Sequence, residues 1–128
     1  MERIIHLDTH AVVWLYAKQL DLFPRRSLDL IRQSTLEISP VVALELQYLM
    51  EVGKITDSSD TILAALEKEV GLQFSGAGFG EVARCAVKNG WTRDPFDRLI
   101  TATAALSHIK LITKDQTIHR HYRWAIWD

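Results

Sequence analysis

Short apolar blocks alternate with amphipathic stretches along the whole chain. Residues 3–7 form an apolar run of strand length, and a helical pattern follows from 9 to about 18. Phe23-Pro24 marks a turn, and residues 26–33 read as a short helix with Leu28 and Ile31 facing inward. Residues 36–39 form a second strand. Ser39-Pro40 then opens a helix, with serine suited to the N-cap and proline to the first helical position. That helix runs to about Val52 and stops at Gly53. Another begins within residues 56–59 and places Ile62, Leu63, Leu66 and Val70 at helical spacing. Residues 72–75 are a weak third strand, followed by a loop of Gly76, Gly78 and Gly80, a short helix over 81–88 and a turn at Asn89-Gly90. Asp94-Pro95 starts an Ala- and Leu-rich helix to about Ser107; residues 110–113 and 123–127 are the fourth and fifth strands. Strands alternating with helices predict an α/β three-layer sandwich, a central five-stranded parallel sheet flanked by helices. With no repeat, low-complexity tract or linker, residues 1–128 form a single domain.

Bulk properties narrow this further. A chain of 128 residues, 48% apolar and 24% charged, can bury a core without a staple. Cys85 is alone, so an intrachain disulfide is excluded and a reducing compartment fits. The opening MERIIHLDTH carries an acid at position 2 and too short an apolar run for a signal peptide. No stretch approaches the roughly 18 apolar residues of a membrane span, so a cytoplasmic protein without a membrane partner is expected. The net charge of −1 offers no basic footprint. This argues against a pure nucleic-acid binder, but less against an enzyme in which bound metal supplies the positive charge.

Four carboxylates stand where the pattern does not call for them. Open α/β sheets bind ligands beyond the carboxyl ends of their strands. Asp8 directly follows the first strand and Asp115 lies just past the fourth, although helix capping explains either one equally well. Glu45 shares a helix face with Val41, Val42, Tyr48 and Leu49, so it needs a partner, either a basic side chain or a cation. Asp97 sits on a face with Ile100, Thr101 and Ala104, while Asp94 reads as that helix's cap. An acid in the first helical turn also suits the helix dipole. Together the four predict a shared metal site. Hard Mg2+ or Mn2+ prefers carboxylate oxygens, and such ions activate water and stabilise the leaving oxygen of a phosphodiester. Crowded carboxylates repel, so one or more pKa values should rise. No two histidines lie four apart on one predicted helix. His6, His10, His108, His119 and His121 are read as surface or packing residues, with His10 left open for its nearness to Asp8.

The segments LDTHAVVWL at 7–15, SPVVALEL at 39–46, RDPFDRLITATA at 93–104 and LITKD at 111–115 together resemble the PIN-domain family, in particular VapC-type toxins of prokaryotic toxin–antitoxin pairs. The resemblance spans nearly the whole chain and implies Mg2+- or Mn2+-dependent RNA cleavage. By position Asp8, Glu45, Asp97 and Asp115 match the family's four acids, with Asp94 an auxiliary acid or cap and Thr113 orienting Asp115. It also implies an RNA substrate, a small antitoxin that covers the active site, and a homodimer. Arg93, Arg98 and Lys114 flank the acids as candidate phosphate contacts, any one of which an ordinary surface salt bridge also explains. Trp14, Leu15, Leu20, Leu22 and Phe23 could form a partner surface, with ordinary core the favoured explanation. The stretches KNGWT at 88–92 and GAGFG at 76–80 depart from the family pattern in loops that would shape RNA recognition. Three other readings compete. A haloacid-dehalogenase-like phosphatase wants a second acid where His10 stands. A receiver-type phosphoacceptor wants an acidic pair near the first strand's end, and a non-catalytic PIN scaffold tends to lose the acids kept here.

Overall fold

A computed structural model describes residues 3–128. Five strands, β1 (Ile4–Leu7), β2 (Thr35–Ile38), β3 (Gln73–Phe74), β4 (Lys110–Ile112) and β5 (Ala125–Ile126), pair in the order β3-β2-β1-β4-β5. All pairings are parallel, as the alternation of strands and helices predicts. Seven helices flank the sheet: α1 (Thr9–Tyr16), α2 (Arg25–Gln33), α3 (Val41–Glu51), α4 (Ser59–Val70), α5 (Phe79–Val87), α6 (Pro95–Leu106) and α7 (Gln116–His121). Among the described residues no helix is long and apolar enough to cross a membrane.

β1 is the central strand, and a central parallel strand is covered on both faces, which is why IIHL contains only one polar residue. Ile5, Leu7, Leu36, Ile38, Leu111 and Ile112 are essentially inaccessible to solvent. His6 lies among them, 1% exposed, and the register explains how it is tolerated. His6 is paired with Glu37 on β2, and Glu37 with Gln73 on β3. His6 Nε2 lies 3.1 Å from Glu37 Oε1, and the Gln73 amide donates to Glu37 Oε2 at 3.3 Å. Burial lowers the His6 pKa against the pull of Glu37, so the ring is held neutral by its surroundings.

Helix boundaries follow local chemistry. α4 is capped by the Ser58 hydroxyl and ends at Gly71 with φ +71°, a left-handed position that glycine adopts without strain. α3 ends just before Gly53, but it starts at Val41 rather than at Pro40, because Pro40 occupies the capping position and Ser39 Oγ reaches only Val41 N, at 3.4 Å. α5 starts two residues earlier than its apolar pattern indicates, from an extended Gly78. α7 is not anticipated by the sequence pattern at all. QTIHRH buries only Ile118, too little for a periodic signal, and the helix is set by the Asp115 cap. Of the apolar group near the first two helices, Phe23 is core, Trp14 and Leu15 are half-buried against it, and Leu20 is half-buried, whereas Leu22 is 44% exposed. The group is therefore mainly packing. Trp127, beyond β5, completes it at 5.7 Å from Trp14 and 5.5 Å from Phe23.

Candidate active site

The strand order reverses direction between β1 and β4, and the crevice at such a switch point is where open α/β sheets bind ligands. Asp8 leaves β1 at this point. Its backbone N–H donates to Ile112 O of β4 at 3.1 Å, and its Oδ1 accepts from Ala11 N at 2.9 Å, capping α1. The side chain is buried, and loss of hydration raises its pKa. The Thr113 hydroxyl, the Ala11 amide and His10 work against that rise, and the Asp115 charge adds to it. Asp115 caps α7 through Ile118 N at 3.0 Å, while its own N–H donates to Thr113 Oγ1 at 3.1 Å. The fully buried Thr113 thus ties the acids of β1 and β4 to each other.

Two helices supply the opposite wall. Glu45 lies on α3 between the buried Val42 and Leu49, and the Thr9 hydroxyl donates to its Oε1. Burial raises the Glu45 pKa, and the charges of Asp94 and Asp8 raise it further. Asp94 caps α6 by accepting from Phe96 N at 2.8 Å and Asp97 N at 3.3 Å, which agrees with its reading as a cap. Asp97, one turn inside, has no hydrogen bond to offset its surroundings. Burial, followed by the charges of Asp94, Asp115, Glu45 and Asp8, pushes it up to about 7.

These side chains line one cleft of about 460 Å³: Asp8, Glu45, Asp94, Asp97 and Asp115, with Thr9, His10, Trp14, Ile100 and Lys114. The donors are hard oxygens, which fits Mg2+ or Mn2+ better than a thiophilic metal. They stand apart rather than in a closed cage. Among the described residues no three His, Cys, Asp or Glu side chains converge tightly enough to hold an ion by themselves.

The three basic residues separate clearly. Lys114 lines the cleft, its Nζ 6.0 Å from the centre of the Trp14 ring. Arg98 instead binds carbonyls: its Nε donates to Ala86 O at 3.1 Å and Nη2 to Val87 O at 3.0 Å, closing the C-terminal end of α5. Arg93 donates to Gly90 O and Thr92 O of its own loop. Sequence reasoning did not place Thr9 or Trp14 in this cleft and left His10 open. The available signal was their spacing from Asp8, since positions 10 and 14 share one face of a helix that starts at the first acid.

Comparison with curated proteins gives no match. A solved structure of VapBC2 from Rickettsia felis, bound to a DNA fragment from their promoter, superposes with a TM-score of 0.66 at 22% identity, covering 98% of this chain and 99% of that one. At that identity the likeness establishes the shared fold. The PIN-domain family model matches residues 5–123, from β1 through every acid of the cleft, and the chain therefore belongs to the PIN-domain family.

Proposed function

We propose that this protein is a metal-dependent endoribonuclease whose Asp8, Glu45, Asp97 and Asp115 hold Mg2+ or Mn2+, and that it acts in the cytoplasm as the toxin of a VapC-type toxin–antitoxin pair. The observation that carries the reading is the convergence of carboxylates from four separate elements on one cleft, with burial and the neighbouring acid charges pushing the Asp97 pKa to about 7. A divalent cation held there would neutralise phosphate charge and acidify an attacking water. The chain's own groups set the stage for that chemistry. Ala11 N–H and Thr113 fix the Asp8 carboxylate, Thr9 fixes Glu45, and Lys114 is placed to contact the RNA phosphate.

An acidic cleft also suits an inhibitor. An arginine from a small antitoxin would pair bidentately with carboxylates and occupy the position of the cation. The likeness to VapBC2 supports such a partner. Exposed Leu44 and Phe79, which border an apolar groove beside α3 and α5, support a homodimer.

The test is cleavage of RNA by the purified chain with Mg2+, with Mn2+ and with chelator. Cutting that needs the metal is expected, and intact RNA under both metals would overturn the nuclease reading. Expression of the chain alone should arrest growth, and co-expression of the small neighbouring gene should relieve it. Unimpeded growth together with no binding by that neighbour would remove the toxin role and leave the nuclease.

A further inference from the structure

The cleft has a second end whose chemistry is not acidic. Trp14 lines it from α1, one turn beyond His10, with the two ring centres 5.9 Å apart. The indole packs edge-to-face with Phe23, ring centres 6.2 Å apart, and against Trp127 at 5.7 Å, so its plane is constrained while it stays partly exposed. Lys114, exposed and without an ion pair to any described residue, lies over the ring. Asp8 caps α1 and Trp14 lies six positions further along it, and both side chains line the same cleft, so acid and indole are presented to one ligand by one helix. A rigid aromatic face beside a cation is the pairing by which proteins hold unpaired bases, because every base offers a π-face and every link a negative charge.

We propose that Trp14 is the base-binding residue of this cleft, with one unpaired base next to the cut phosphate stacking on its indole and Lys114 moving from the ring to the neighbouring phosphate. The proposal rests on the ribonuclease reading and adds to it a position at which the RNA is gripped by its base. Lys114 is suited to the exchange, since its ammonium sits on a flexible stem and donates in any direction. Phe23 and Trp127 lock the indole in advance, so little freedom is lost when a base arrives.

The experiment uses a short single-stranded RNA in which one base at a time is removed, its binding measured with Ca2+ present and its cleavage with Mn2+. For the wild-type protein one abasic position should weaken binding about tenfold or more. In Trp14→Leu that position should lose its effect, whereas Trp14→Phe, which keeps an aromatic face, should retain most of it. Thermal melting establishes that each variant is folded. Independently of any variant, 2-aminopurine at that position should be quenched on binding to the wild-type protein. Equal abasic profiles in wild type and folded Trp14→Leu, or an unquenched probe, would overturn the role of Trp14. RNA that is cut with no such base dependence removes the stacking role and leaves the nuclease. RNA that is bound with this dependence yet never cut with Mg2+ or Mn2+ does the reverse.

Discussion

Two polar groupings sit on the same sheet, and they differ in where their partners come from. Across β1, β2 and β3 the His6–Glu37–Gln73 row gives each oxygen of the Glu37 carboxylate a partner, at 3.1 and 3.3 Å, so that one acid is shared between two donors, while His6 Nδ1 is buried without a partner among the described residues. At the carboxyl ends of β1 and β4, acids face acids: Asp97 is raised by burial and then by the charges of Asp94, Asp115, Glu45 and Asp8, with no hydrogen bond against them. In the first grouping the acid is matched within the chain. In the second the acids add to one another's charge, and the proposed cation would supply the balance. Burying a polar group costs little when it is paired and a great deal when it is not, so the two groupings weigh differently on stability.

The sharpest way to break this contrast is to remove acid charge. Asp8→Asn and Glu45→Gln should each lower RNA cleavage at least about a hundredfold without unfolding the chain, since each deletes a charge that a metal would need. Near-normal rates from either purified variant would end the assignment. Within the same series Asp97→Asn should cost more rate than Asp94→Asn, because asparagine still caps α6. The opposite ranking would make Asp94 the ligand. In the row across the strands the expected effects are inverted. His6→Leu leaves Glu37 with Gln73 alone and should destabilise by about 1–3 kcal/mol in chemical denaturation, with cleavage per folded molecule unchanged. A loss of rate without loss of stability would join the two groupings.

The dependence on pH is the most diagnostic. The Asp97 carboxyl is raised from 3.8 to about 7, so between those pH values the folded state keeps a proton that the unfolded state has lost. Its contribution to stability is present in full below pH 3.8 and is lost as pH rises through about 7. Asp97→Asn should remove that slope and melt higher than wild type above pH 7, with the advantage shrinking in acid. Mn2+ should then raise the melting temperature of wild type more than that of the variant. A variant that melts lower than wild type at alkaline pH would show that Asp97 is already paired.

The sequence made the acids legible for the reason that makes them costly. Glu45 stands out among Val42, Leu46 and Leu49 because a carboxylate on an apolar helix face needs a partner. The strands were legible through their continuous apolar runs, and the strand order sets β1 beside β4 as the pairing of Asp8 with Asp115 requires. What stayed hidden depends on contacts distant in the chain. Arg98 reads as a flanking cation until the end of α5 is seen beneath it. Trp14 reads as core until the cleft is assembled around it. α7 has too few inward residues to announce itself, and only the Asp115 cap betrays it.

The strand order also governs when the protein can exist as an active object. During synthesis β1 emerges first and can pair with β2 and β3 on one edge, but its other edge has to wait for β4, near the opposite end of the chain. Asp115 arrives with β4, and Trp127, which props the Trp14 wall, arrives later still. Until then Asp8 lies beside an open strand edge, and no crevice unites the acids. A ribosome-bound chain of this order has no assembled cleft and is exposed to the hazard of unpaired edges, mispairing with its neighbours. The topology converts the position of an acid along the chain into a delay, and the acids of the cleft are brought together only once β4 has been made.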